Sequence, residues 1–160
     1  MTIQPGDKFP SIMIKQATAD GPQEVDPAAL FAAKRVILFS LPGAFTPTCS
    51  QKHLPGYVEH FDELRGKGID LIACLAVNDA HVMRAWGEAH GALGKIIMLA
   101  DGNAALTRAL GLEVDLSGAQ MGVRSRRGVM TIKDGVVETV DLEAPGKFEV
   151  SSADACMLKL

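Results

Sequence analysis

The segment Pro42-Gly43-Ala44-Phe45-Thr46-Pro47-Thr48-Cys49 sets a cysteine just beyond a Thr-Pro pair. Threonine followed by proline is a helix-start pattern, with the hydroxyl capping an early N–H and the proline filling the first helical position. Cys49 then falls at about the third position, inside the first turn. Backbone N–H groups there lack partners and carry the positive end of the helix dipole, so a thiolate is stabilised and its pKa is expected below the free value of ~8.5. Such a sulfur can attack one oxygen of a hydroperoxide while charge grows on the other, and donors aimed at both oxygens lower the barrier. Thr46 and a nearby arginine are candidates for those donors. Spacing alone also fits an ordinary capped helix with a buried cysteine.

The remaining reactive residue types are sparse. His53 follows Cys49 by four residues on one helical face, the geometry of a Cys-His nucleophile pair or of half a metal site. Neither arrangement is completed elsewhere, so His53 is expected to be a packing or interface residue, and His60, His81 and His90 to lie on helix surfaces. Cys74 sits near the end of an apolar run, which marks a core cysteine whose strand end can share a side with Cys49. Cys156 falls in the C-terminal helix. No Cys-x-x-Cys pair is present, which argues against a disulfide oxidoreductase. Of Arg126 and Arg127, strand alternation lets only one face inward.

Three cysteines in 160 residues are an odd number in a chain long enough to fold without disulfide staples. They point to free thiols in a reducing compartment, and the N-terminus lacks a basic segment followed by an apolar core, so a cytosolic protein is expected. No run approaches the length of a membrane span. A net charge of -3 gives no cationic field for nucleic acid.

The elements that must carry these residues are legible in outline. Runs at Arg35 to Leu41 and Ile69 to Val77 are apolar and β-branched, as in parallel strands covered on both faces. Between them, Leu54, Tyr57, Val58, Phe61 and Leu64 have helical spacing, and the helix from Pro47 to about Lys67 is expected to kink or split at Pro55. Further helices are expected from Ala80 to His90, capped at Asn78-Asp79, and from Ala104 to Leu110, with a strand at Ile96 to Leu99. Extended runs from Arg124 to Ile132 and Val136 to Leu142 flank Lys133-Asp134-Gly135, a hairpin-turn signal. Ser151-Ser152-Ala153-Asp154 caps a short last helix. The order implies one α/β unit, thioredoxin-like in arrangement, with a central mixed sheet flanked by helices.

The stretch Pro42 to Ser50, followed by His53-Leu54-Pro55-Gly56, resembles the active-site signature of the peroxiredoxins, above all their type II, peroxiredoxin V-like subfamily. Similarity continues through Val77-Asn78-Asp79, Trp86, Leu99-Ala100-Asp101, Arg124-Ser125-Arg126-Arg127 and the Asp134-Gly135 turn, over nearly the whole chain. The resemblance implies an antioxidant thiol peroxidase acting on hydrogen peroxide and organic hydroperoxides, with a sensor or holdase using the same cysteine as the alternative. By position it makes Cys49 the peroxidatic cysteine, Thr46 the hydroxyl that orients peroxide, Pro42 the wall shielding the sulfur and Arg127 the guanidinium of the site. It implies no metal, haem or flavin cofactor, recycling by glutathione with glutaredoxin or by thioredoxin, and a homodimer. Phe45 is expected to line the site for organic substrates. Two departures stand out: Gly128 replaces a usual aromatic residue, so a packing wall or strand contact is expected to be missing, and Cys156 lies beyond the position near Ser151 where atypical two-cysteine relatives carry the resolving cysteine.

Overall fold

The computed structural model describes residues 1–160. Strands β1 (Ile14–Thr18) and β2 (Gly21–Val25) form an N-terminal hairpin, followed by α1 (Pro27–Phe31) and β3 (Arg35–Ser40). A π-helical turn (Cys49–His53) leads into α2 (Leu54–Glu59), α3 (Phe61–Gly66) and β4 (Leu71–Ala76). Then come α4 (Ala80–Ala89), β5 (Ile97–Ala100), α5 (Ala105–Ala109), β6 (Glu113–Asp115), β7 (Val123–Ser125), β8 (Gly128–Lys133), β9 (Val136–Leu142) and α6 (Ala153–Met157).

Seven strands form one mixed sheet in the order β2-β1-β5-β4-β3-β8-β9, with β3, β4 and β5 parallel at its centre. Successive side chains of a strand point to opposite faces, and the core divides accordingly. Ile37 and Phe39 join Tyr57, Trp86 and Cys49 on one face, while Val36 and Leu38 join Phe31, Leu106 and Leu110 on the other. Strands β3 and β4 are buried throughout after their first residue, which is why they read as unbroken apolar runs.

The expected α/β mixed sheet and the central parallel pair form, as do the helices capped by Asp79 and Ser152. Asp79 accepts from Val82 N–H at 2.9 Å to start α4, and Ser152 accepts from Ala155 N–H at 3.1 Å to start α6. Asp134 and Gly135 take φ of 47° and 79°, the left-handed pair that a two-residue hairpin requires. The β1-β2 hairpin and α1 carried no strong sequence pattern and were not expected.

Two expectations need correction. The helix beyond Cys49 does not break at Pro55. It widens before it, with Leu54 N–H donating to the Cys49 carbonyl, and Pro55 sits in the first turn of α2. A proline cannot donate an N–H and its ring crowds the carbonyl four residues back, so a wide turn upstream relieves the clash. The actual break is at His60, whose φ and ψ of -94° and 13° separate α2 from α3. The extended run from Arg124 to Ile132 is also two strands, for β7 pairs with β6 in a small separate sheet while β8 joins the main one. Arg126 and Arg127 occupy the crossing between them, so strand alternation does not decide which faces inward.

Candidate active site

Helical structure begins at Pro47, which puts Cys49 third, as the spacing implied. Its side chain is fully buried. No internal acceptor takes the N–H of Thr48 or Cys49, as expected of a first turn. Arg127 reaches across from the β7-β8 crossing, and its Nη2 donates to Cys49 Sγ at 3.1 Å. A guanidinium donor and the open N–H groups of a helix start therefore stand beside a buried sulfur.

Arg127 is held on its other edge. Its Nη1 lies 2.9 Å from His53 Nδ1, and the Phe148 ring lies 5.8 Å below its central carbon. His53 is fully buried, with Nε2 at 3.0 Å from the Ser151 carbonyl. Burial first, and then the adjacent Arg127 charge, push its pKa down to about 3. The ring is therefore neutral at physiological pH. The same Ser151 carbonyl accepts from Tyr57 Oη at 2.7 Å. Glu143 gathers the N–H groups of Glu149, Val150 and Ser151, each at 2.8 Å, and the Ser151 hydroxyl at 2.7 Å.

The loop before Cys49 is pinned separately. Arg124 Nη1 donates to the Pro42 carbonyl at 3.1 Å, and Ala44 N–H donates to Asn78 Oδ1 at 2.9 Å. A Cβ on Gly43 would meet Arg124 Nη1 at 2.5 Å, so only glycine admits the guanidinium here. Pro42, Thr48, Arg127 and Phe148 line a cavity of about 250 Å³ whose other walls include Val114, Leu116, Arg126 and Lys147.

Of the four residues expected at the site, Cys49 and Arg127 are in contact, Pro42 shares a cavity wall with Arg127, and Thr46 lies three residues before Cys49 with its side chain turned to Gly43; two expectations around them need correction. Thr46 does not cap the helix. Its hydroxyl donates to the Gly43 carbonyl at 2.7 Å, which spends its proton and leaves its oxygen as an acceptor. Phe45 does not line the cavity; it takes φ of 62° and is 56% exposed. The left-handed backbone turns its side chain outward, which no spacing rule reveals.

His53 packs as expected, yet it also touches the guanidinium. Arg124, Glu143, Phe148 and the Ser151 carbonyl were not foreseen, because their roles are long-range contacts of main chain or loop. Cys74 is fully buried and its thiol is pushed well above the ordinary range, first by burial and then by the neighbouring Cys49. Cys156 is pushed up to about 11, chiefly by burial. All three cysteines are free thiols. No three His, Cys, Asp or Glu side chains converge as metal ligands, and no helix is long and apolar enough to cross a membrane.

The family model described as Redoxin matches residues 4–157. The chain is 53% identical to Peroxiredoxin-2E-2, chloroplastic, of Oryza sativa subsp. japonica, across 99% of its own length and 72% of that protein's. It is 48% identical to Peroxiredoxin-2E, chloroplastic, of Arabidopsis thaliana, across 96% and 67%. Among solved structures, reduced Prx3 of Vibrio vulnificus in complex with hydrogen peroxide superposes with a TM-score of 0.94 at 50% identity, covering 99% of each chain. These names favour an enzyme over a sensor or holdase. They also overturn the cytosolic expectation, since the two plant relatives are chloroplastic. Free thiols mark a reducing compartment without choosing among such compartments. Fold, cysteine environment and similarity over the whole chain agree: the chain belongs to the redoxin family and is a type II peroxiredoxin, an antioxidant thiol-dependent peroxidase with a thioredoxin-like fold.

Proposed function

We propose that Cys49 is the peroxidatic thiol and that Arg127, Thr46 and Pro42 shape its reaction. The thiolate attacks the nearer oxygen of ROOH, the S–O bond forms as the O–O bond breaks, and the electron pair leaves on RO⁻, which takes up a proton to become water or an alcohol. Cys49 is left as a sulfenic acid. Arg127 Nη2 and the free N–H groups of Thr48 and Cys49 oppose the charge that spreads over sulfur and oxygens. Thr46, its proton committed to Gly43, accepts the O–H of the incoming peroxide and orients it. Pro42 walls the cavity and keeps bulk water from the sulfur.

The observation that carries this reading is the 3.1 Å contact between Arg127 Nη2 and the buried Cys49 sulfur. The electron balance closes with thiols alone, so no metal, haem or flavin is needed. Return to the thiol falls to glutathione with glutaredoxin, or to thioredoxin, because Cys74 and Cys156 are both buried. A homodimer is the assembly the family resemblance implies, and the outward Phe45 side chain, 56% exposed, is the residue its interface would cover. Sedimentation should then give twice the chain mass, with Phe45→Glu shifting it toward one; a parent chain that sediments as a monomer ends the dimer proposal.

The test of the chemistry is Cys49→Ser in a coupled peroxidase assay. Peroxide consumption is expected to fall to the uncatalysed background. A variant that consumes peroxide at the parent rate would move the chemistry to another residue.

A further inference from the structure

We propose that His53 is a positioning residue that aims Arg127 at Cys49, and that Glu143 supports it by fixing the Ser151 carbonyl on which the ring rests. The inference rests on the reading of Cys49 and Arg127 given above.

Proton counting fixes the ring. The Ser151 carbonyl can only accept, so His53 Nε2, 3.0 Å away, must carry the ring's single proton. Nδ1 is then a lone pair, and it accepts from Arg127 Nη1 at 2.9 Å. The opposite tautomer would set a lone pair against the carbonyl and an N–H against the guanidinium, two unfavourable contacts in a fully buried place. A doubly protonated ring would add a like charge beside Arg127. Only one protonation state satisfies both neighbours, and in that state the guanidinium is gripped at Nη1 while Nη2 points at sulfur. An arginine side chain is long and rich in rotamers, so a second anchor is what holds one of its donors on a single atom.

The anchor is itself anchored. Ser151 is fully buried, and its carbonyl is turned toward the ring by a loop whose three successive N–H groups end on the Glu143 carboxylate. Glu143 N–H in turn donates to the Arg127 carbonyl at 2.9 Å. One acidic residue therefore ties the main chain of Arg127 and the loop that carries Ser151. The sequence Glu143, Ser151, His53, Arg127, Cys49 is a continuous chain of contacts ending on the reacting sulfur; Glu143 and Arg127 also form part of the cavity wall, whereas His53 and Ser151 stand behind it.

The experiment follows the rate of Cys49 oxidation by hydrogen peroxide through the fluorescence of Trp86, the single tryptophan, which donates to Ser50 beside Cys49. His53→Leu removes the acceptor for Arg127 but leaves the Ser151 carbonyl paired with Tyr57, and oxidation should slow on the order of tenfold or more. His53→Gln can donate to Ser151 and accept from Arg127 through its amide, and should recover most of the rate. In an Arg127→Gln background, His53→Leu should add little, because its effect passes through the missing guanidinium. The inference is overturned if His53→Leu folds and reacts like the parent, if Gln fails to outperform Leu, or if the Leu penalty persists in full without Arg127. If His53→Leu does not fold, Glu143→Gln takes its place with the same comparison, and parental rates there overturn the inference as well. A harmless Arg127→Gln would instead sink the reading of the site, which separates the two failures.

Discussion

A histidine ring buried between a carbonyl and a guanidinium resists protonation, and that resistance has a cost in acid. The unfolded chain takes up a proton at His53 near the ordinary 6.5, whereas the folded chain waits until about 3. Between those values the unfolded state binds more protons, so the stabilising effect of the neutral ring is complete above pH 6.5 and is lost as pH falls toward 3. From pH 7 to pH 5 the loss should be about 2 kcal/mol. Two other groups do not obscure it. Burial alone would raise Glu143, but the hydrogen bonds from Ser151, Glu149 and Val150 hold it below its ordinary 4.5, so its contribution is lost only at lower pH. His60 is raised, mainly by its hydrogen bond to Glu63, which has the opposite sign, and its contribution is common to the parent and to His53→Gln, so it cancels in their comparison. Urea unfolding of the parent and of His53→Gln at pH 7 and pH 5 measures the slope. An equal acid loss in both proteins would remove His53 as its source.

Gly128 is where the strand pair β8-β9 meets the site-bearing crossing. A missing aromatic wall was expected at this position; instead Leu142, its register partner, fills the place. A Cβ on Gly128 would lie 2.6 Å from Leu142 Cδ2 and 2.9 Å from the Asp141 carbonyl oxygen. The leucine end can swing away but the main-chain oxygen cannot move without opening the ladder, so Gly128→Ala should destabilise by roughly 1–3 kcal/mol and Gly128→Phe by more. A denaturation midpoint for Gly128→Ala matching the parent would show that the pair has slack. The case also marks the limit of sequence reading. The central strands, the caps at Asp79 and Ser152 and the Asp134-Gly135 turn rest on local pattern, and the sequence displays them. The widened turn at Cys49–His53, the crossing at Arg126-Arg127 and the glycine-leucine exchange depend on neighbours distant in the chain, where local propensity is silent. The same holds inside the site: Cys49 announces itself by its place after Thr46-Pro47, whereas the hydroxyl direction of Thr46 and the outward turn of Phe45 are set by backbone angles that spacing does not encode.

Recycling is a property of the whole molecule, because it asks which thiol can meet the sulfenic acid proposed at Cys49. Exchange chemistry needs a thiolate with access. Cys74 lies in the central strand β4, opposite Phe39 of β3, and reaching it would mean parting the sheet from α2. Cys156 lies on the buried face of α6 with its thiol pushed up to about 11, which leaves on the order of one part in ten thousand ionised at neutral pH. Ser151, whose hydroxyl and carbonyl are both bonded, offers no sulfur at all. The cavity lined by Pro42, Thr48 and Arg127 adjoins the sulfur through the guanidinium that touches it, and it is lined by neither Cys74 nor Cys156. A chain lacking both internal thiols, Cys74→Ala with Cys156→Ala, should therefore turn over with glutathione and glutaredoxin, or with thioredoxin, at the parent rate, losing only the stability that two small core side chains supply. Peptide mass mapping after one equivalent of peroxide and excess glutathione should find Cys49 joined to glutathione in the parent. A Cys49–Cys74 or Cys49–Cys156 bridge there, together with single-turnover behaviour in the double variant, would instead require that this end of the molecule unfolds during every cycle.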